Sequence, residues 1–154
     1  PYMSVAAAYF YERAEMRAQA GKFRESVMDY NTFFDAVGGD VTALFFFQRE
    51  QAEMQCRMYQ HALNDINKAV EMAPEDADFW VEKGTVHLRF NQLDDAIAAF
   101  NKALSLNDKY AAAYRLLGYC QAIKKKNKEA CANFAKAKEL GDELVDTLIE
   151  KYCK

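Results

Sequence analysis

Little in this chain would break a helix. Of 154 residues only two are proline and six are glycine, too few turn residues for the many short strands of a β-sandwich or barrel. The longest apolar runs, residues 5–11 and 44–47, are too short for a transmembrane helix. Neither charge dominates: 20 Lys/Arg stand against 23 Asp/Glu, a net of −3, so the strongly basic surface that duplex nucleic acid selects is absent. There are three serines (Ser4, Ser26, Ser105) and two histidines (His61, His87), and no Gly-rich phosphate loop. The four cysteines, Cys56, Cys120, Cys131 and Cys153, include no C-x-x-C and no zinc spacing. With this much core-forming material a disulfide framework is not expected. The thiols are expected to be reduced and mostly buried, as in a cytoplasmic protein, with Cys120 and Cys131 on facing helices. The chain opens on Pro-Tyr-Met, which reads as a piece of something longer.

What is present is core. Hydrophobic residues make up 51% of the chain and aromatics 14%, which excludes intrinsic disorder. Charge is uneven. Residues 1–76 carry 7 basic and 12 acidic side chains, net −5, and residues 77–154 carry 13 and 11, net +2. The run Lys124, Lys125, Lys126 and Lys128 reads as a solvated turn between helices.

The main signal is self-similarity. Ser26-Val27-x-x-Tyr30, Ala62-Leu63-x-x-Ile66, Ala96-Ile97-x-x-Phe100 and Ala130-Cys131-x-x-Phe134 begin 36, 34 and 34 residues apart. Each continues in register with Phe33, Ala69, Ala103 and Ala137. Apolar places at i, i+1, i+4 and i+7 form one stripe of an α-helix. A second helix precedes each: about 5–20, 43–58, 78–90 and 111–124. Short turns join the two around Gly21-Lys22-Phe23, Tyr59-Gln60, Asn91-Gln92-Leu93 and Lys126-Asn127-Lys128. Gly38-Gly39-Asp40, Pro74-Glu75-Asp76, Asn107-Asp108 and Gly141-Asp142 end the units. A ninth helix is expected over 143–153, with Asp142 as its N-cap and Leu144, Val145, Leu148, Ile149 and Tyr152 on its apolar face.

This pattern resembles the tetratricopeptide repeat family, whose 34-residue signature runs W-x-x-L-G-x-x-Y, then A-x-x-x-F, then a late Pro. Here Trp80-x-x-Lys83-Gly84-x-x-His87 is followed by Ala96-x-x-x-Phe100, and Tyr114-x-x-Leu117-Gly118-x-x-Gln121 by Ala130-x-x-x-Phe134. The earlier units are weaker: Phe10 and Ala14, then Phe46 and Glu50, stand at the Trp and Gly places, though Ala62, Ala69 and Pro74 are kept. The resemblance implies an all-α, right-handed α-solenoid of four helix-turn-helix units, about 7–40, 43–76, 77–110 and 111–142, plus a capping helix over 143–153. The small residues let paired backbones approach, and each late aromatic fills the gap between units. Trp80 is expected to be a packing wedge and His87 a buried packing residue. Glu50 conflicts with close packing, and either splays its unit or pairs with a nearby Lys or Arg.

By the same resemblance, the first helix of each unit lines a concave peptide-binding groove. Its places fall on Tyr11, Glu15 and Gln19; on Phe47, Gln51, Met54 and Gln55; on Val81, Thr85, Leu88 and Arg89; and on Arg115, Tyr119, Ala122 and Ile123. Apolar members of that set would stay uncovered and mark a partner site. Arg89 and Arg115 would hold an acidic group, and Glu15 a basic one. Some members of the family hold a chaperone's C-terminal carboxylate with Lys, Asn and Arg. The matching places here, such as Tyr11, Glu15, Gln48, Asp78 and Glu82, carry neither Lys nor Arg, which disfavours that role. No metal, cofactor or catalytic set is implied. The expectation is a non-catalytic protein-interaction scaffold that binds no nucleic acid and enters no membrane. Two alternatives stand. One is stacking or self-association through the apolar N-terminal segment (Tyr2, Met3, Val5, Tyr9, Phe10). The other is a docking arm of an enzyme whose catalytic domain lies elsewhere.

Overall fold

In the computed structural model residues 3–39 and 41–154 are described. Tyr2 and Asp40, which the sequence reading placed in the apolar N-terminal segment and in the first breaker, lie outside them. Among the described residues the chain is all-helical: α1 (Val5–Gln19), α2 (Phe23–Val37), α3 (Ala43–Gln55), α4 (Tyr59–Met72), α5 (Ala77–Arg89), α6 (Leu93–Leu106), α7 (Ala111–Ile123), α8 (Asn127–Glu139) and α9 (Asp146–Tyr152). It divides into two compact units, Pro1–Ala73 with α1–α4 and Pro74–Lys154 with α5–α9. In the first, α2 packs on both α1 and α3, and α3 on α4; in the second, each helix from α5 to α9 packs on the next.

The turn inside each helix pair is one device used four times. Gly21, Arg57, Asn91 and Lys125 all take positive φ, between 55° and 74°. The next residue's N–H then bonds back to the first helix: Lys22 to Arg17 O, Met58 to Glu53 O, Gln92 to His87 O and Lys126 to Gln121 O. This is the Schellman closure, which satisfies carbonyls that the helix end leaves open. The expected turns therefore sit slightly early, and Phe23, Tyr59, Leu93 and Asn127 already begin the second helix. His87 lies in the last turn of α5, half-buried rather than buried, where its Nδ1 meets Gln92 Oε1 at 2.7 Å.

Close approach of the paired helices rests on small residues. A Cβ at Gly84 would lie 2.5 Å from the Phe100 ring, and one at Gly118 would lie 2.7 Å from the Phe134 ring. Both rings are wholly buried. The late aromatic thus fills the space beneath its own unit's glycine, and Phe100 also joins the core formed with Ala113, Leu117 and Cys120 of α7. In the first pair Ala14 stands at the glycine place, and Ser26 donates from its hydroxyl to Ala14 O at 2.8 Å. Trp80 packs against the core while its Nε1 donates to Pro74 O at 2.8 Å. Tyr114, 34 residues later, donates likewise to Asp108 O at 3.0 Å.

The first unit adds a charged clasp that the sequence reading overlooked. Arg13 donates two hydrogen bonds from α1 to Asp29 on α2, at 2.8 and 2.7 Å, and Arg17 adds a third at 2.7 Å. Thirty-six residues on, Arg49 grips Asp65 across α3 and α4 at 2.6 and 2.8 Å. Arg13 holds the buried Asp29 carboxyl below the usual carboxylate range. That stabilisation is present above the ordinary carboxylate pKa and fades as pH falls through the depressed one. In the second pair Glu53 takes the place of Arg17, and Glu50 the place of Ala14. Glu50 is wholly buried and accepts a 2.7 Å hydrogen bond from Gln51. Glu53 is buried 3.9 Å from Arg49. Its burial, followed by the nearby Asp65 charge, pushes its pKa up to about 8.

The C-terminal segment departs from expectation twice. Residues 143–153 are not one helix: a 3₁₀ turn, Glu143–Val145, precedes α9. Asp142 does cap it, accepting from Leu144 N at 2.9 Å. The tighter turn has fewer residues per revolution, so Val145 points inward while Leu144 is 70% exposed. Leu148, Ile149 and Tyr152 pack on Ala130, Phe134 and Ala137. The reduced-thiol expectation also fails. Cys131 and Cys153 form a disulfide with Cα atoms 5.7 Å apart, because α9 turns back along α8. Cys131 is therefore not matched with Cys120, which is a buried free thiol, and Cys56 is also free.

Two stability measurements follow. Gly84→Ala should cost about 1–3 kcal/mol by overpacking, in spite of its helix-propensity gain, and should lower the thermal midpoint. In a Phe100→Leu background the same change should cost less, and equal costs in both backgrounds would contradict the glycine–ring contact. Glu53→Gln tests the buried carboxyl. A carboxyl with raised pKa stabilises the fold below its ordinary value, and that stability is lost as pH rises through about 8. Urea midpoints of the parent should therefore fall from pH 5 to pH 9 more steeply than those of the variant, with each unit of pKa displacement worth about 1.4 kcal/mol. Parallel pH profiles would refute it.

Candidate functional site

Each unit presents its own concavity. In the Pro74–Lys154 unit a groove of about 530 Å³ is lined by Thr85, Leu88, Arg89 and Asn91 from α5 and its turn, Arg115, Leu116, Tyr119 and Ile123 from α7, and Leu144, Thr147 and Leu148 from the C-terminal segment. Five residues expected at the binding face, Thr85, Leu88, Arg89, Arg115 and Tyr119, come together here, with Ile123 beside them. The groove is amphipathic. Ile123 and Leu144 are 39% and 70% exposed. Thr85 turns its hydroxyl to Val81 O at 3.0 Å. Arg115 is fixed by its Nε, which donates to Asp142 Oδ2 at 2.7 Å. Arg89 is exposed at the rim, with no ion-pair partner among the described residues.

Two expected lining residues are not there. Val81 is 5% exposed, packed in the core with Ala96, Phe100 and Leu117, because α7 lies alongside α5 and closes over it. Ala122 is buried against Ala130 and Val145. Leu88 is only partly available, since it both lines the groove and packs on the core. Sequence reasoning missed the third wall. Leu144, Thr147 and Leu148 sit on a segment read as a cap, and only the 3₁₀ turn and the disulfide set them facing α5 and α7.

In the Pro1–Ala73 unit a smaller concavity of about 280 Å³ is lined by Glu15, Ala18, Phe23, Tyr30, Gln48, Gln51, Ala52 and Gln55. It is richer in carboxamides. Tyr30 donates to the Glu15 carboxylate, and burial and that bond together raise the Tyr30 pKa. Tyr11 is not an open surface: its ring lies 5.1 Å from Phe45 and 5.4 Å from Phe33, and its hydroxyl accepts from Gln48 at 2.8 Å. Gln19 and Gln51 are exposed, and Phe47 and Met54 are half-buried. Of the expected residues in this half, Glu15, Gln51 and Gln55 line the concavity, and Tyr11, Gln19, Phe47 and Met54 do not.

The chemistry on offer is that of contact. Among the described residues no group of three or more His, Cys, Asp or Glu side chains could hold a metal ion. The buried Cys120 thiol is pushed up to about 11 by desolvation, far from a reactive thiolate. Among the described residues no helix is long and apolar enough to cross a membrane. Lys124, in the lysine run, pairs with Asp94 at the start of α6.

The human protein SGT1 homolog is 28% identical over 105 residues, 68% of this chain and 29% of that protein. The chain thus spans less than a third of the length of that relative. The crystal structure of YrrB, a TPR protein with an unusual peptide-binding site, superposes with a TM-score of 0.85 at 19% identity, covering 95% of this chain and 75% of that one. The first TPR of Spaghetti (RPAP3), bound to the HSP90 peptide SRMEEVD, gives a TM-score of 0.70 at 19% identity, covering 73% of this chain and 90% of that one. At these identities the solved structures establish an all-α solenoid fold. The model of the family described as tetratricopeptide repeat matches residues 52–110 and 82–143, more than half the sequence. These matches agree with the four-fold turn, the glycine–aromatic packing and the helix-pair order, and the chain belongs to the tetratricopeptide repeat family of helical scaffolds.

Proposed function

We propose that the chain is a non-catalytic scaffold whose groove in the Pro74–Lys154 unit holds a segment of another polypeptide. The observation that carries this reading is the groove itself, about 530 Å³ between α5, α7 and the C-terminal segment, with apolar walls and arginines at its edge. Few precisely placed polar groups on a mainly apolar concavity are what a peptide or small-ligand site requires. Leu116, Tyr119, Ile123, Leu144 and Leu148 take the apolar side chains, and Arg89 takes an acidic one. The favoured ligand is a short apolar segment carrying Asp or Glu. It is not read as a chaperone tail held by a carboxylate clamp, because the clamp places lack Lys and Arg.

Selection from a displayed peptide library against the chain should enrich such segments. Their affinity, read by fluorescence polarisation, should fall about tenfold or more, at least 1.4 kcal/mol, on Ile123→Glu, Leu144→Glu or Arg89→Glu. All three lie at exposed positions, so helix content by circular dichroism should be unchanged. Unaltered affinity in all three would overturn the reading. Since the disulfide ties down the third wall, Cys153→Ser, which leaves Cys131 unpaired, should also weaken capture several-fold while α5–α8 keep their circular dichroism signal.

A further inference from the structure

The segment that forms the third wall of the groove is fastened at its two ends by different chemistry. At its start the Asp142 carboxylate accepts from Leu144 N at 2.9 Å and from Arg115 Nε at 2.7 Å. One side chain thus caps the 3₁₀ turn and joins it to α7. At its end Cys153 is bonded to Cys131 on α8. The first fastening holds whatever the redox surroundings. The second does not.

What lies between the fastenings is weakly held. Val145 is wholly buried, but no residue of α9 is. Leu148, Ile149 and Tyr152 are only partly covered by Ala130, Phe134 and Ala137. Asp146 pairs with Lys138 of α8 at 2.9 Å, with both side chains mostly exposed, and exposed pairs contribute little. A helix of seven residues is too short to stand without tertiary support. The disulfide spans a sequence separation of 22 and removes the freedom that such a loop regains when it opens. Cys131 and Cys153 are both half-buried, within reach of a small reductant, whereas the free thiol of Cys120 is wholly buried.

We infer that the groove is redox-conditional: with Cys131 and Cys153 bonded, Leu144, Thr147 and Leu148 are held facing α5 and α7, and a dithiol reductant releases α9 and loosens that wall. One thiolate of the dithiol attacks a sulfur of the bond and expels the other, which takes up a proton. The second thiolate of the dithiol then displaces the protein sulfur from the mixed disulfide. Two electrons and two protons pass to the cysteines, and the dithiol leaves as its own disulfide. Exchange with an oxidised dithiol runs the steps backwards and restores the wall. The effect on capture rests on the groove reading proposed above; the release of α9 does not.

The test is amide hydrogen exchange, read by mass spectrometry, on the 154-residue chain with and without dithiothreitol. In urea the oxidised chain should show two titratable thiols, Cys56 and Cys120, and the reduced chain all four. Amides of residues 146–153 should exchange about tenfold faster or more once reduced, while those of α8 change by less than about twofold. The double variant Cys131→Ser/Cys153→Ser should exchange like the reduced chain whether or not dithiothreitol is present, which assigns the effect to this pair. A segment enriched by the library selection should bind the reduced chain about fivefold more weakly or worse. Four titratable thiols before reduction, or equal protection of 146–153 in the two states, would overturn the inference even where peptides bind. Release of α9 with unchanged capture would overturn the gating and leave the groove reading standing. Release of α9 with no capture in either state would sink the groove reading and still bear out the redox-held wall.

Discussion

The fold depends on how closely two helix backbones can be drawn together. Where Gly84 and Gly118 stand, the rings of Phe100 and Phe134 press where a Cβ would otherwise be. That contact sets the separation within α5/α6 and α7/α8, and so where the next helix can be laid. Packing at this density leaves little room to adjust. The first half of the chain lacks both glycines and is held differently. Ala14 admits a hydroxyl from Ser26, and Glu50 brings a carboxyl into the equivalent place. There, buried arginine–aspartate pairs take over part of the task of joining the helices.

Those pairs come with an electrostatic consequence. Two cations face Asp29, whereas Asp65 shares Arg49 with a second carboxyl, Glu53. One helix pair is therefore over-compensated and the next under-compensated. Removing one partner of a buried ion pair is far more damaging than exchanging both for apolar groups, so the arrangement is easier to keep than to dismantle stepwise. The carboxyl whose titration is raised therefore belongs to the second pair, and the one whose titration is lowered to the first.

Much of this was legible in the sequence. The 34- and 36-residue spacing, the small residues and the late aromatics are local signals, and they gave the helices and their turns. The arginine–aspartate clasp was legible too, since Arg13 and Asp29 recur as Arg49 and Asp65 at the repeat offset, but an alignment on apolar places passes over charged ones. Other features were not legible for physical reasons. Val81 and Thr85 share a helical stripe, and only the position of α7 decides that the first is core and the second is groove. The Cys131–Cys153 bridge depends on a short helix folding back, which no spacing of four scattered cysteines specifies. Leu144 faces the groove because three residues wind as 3₁₀ instead of α.

The left-handed residue at each inner turn has a bearing on how such a chain can change. Arg57, Asn91 and Lys125 hold there the conformation that Gly21 holds in the first pair. The bonds that close the turn are all main-chain, so the bend is specified by its neighbours and not by the side chain it carries. A non-glycine residue in that region sacrifices some stability, but its side chain is left outside the packing. Each of these bends can thus drift in charge and size from one repeat to the next, as the lysines at 124–128 already do, while the helices on either side keep their register.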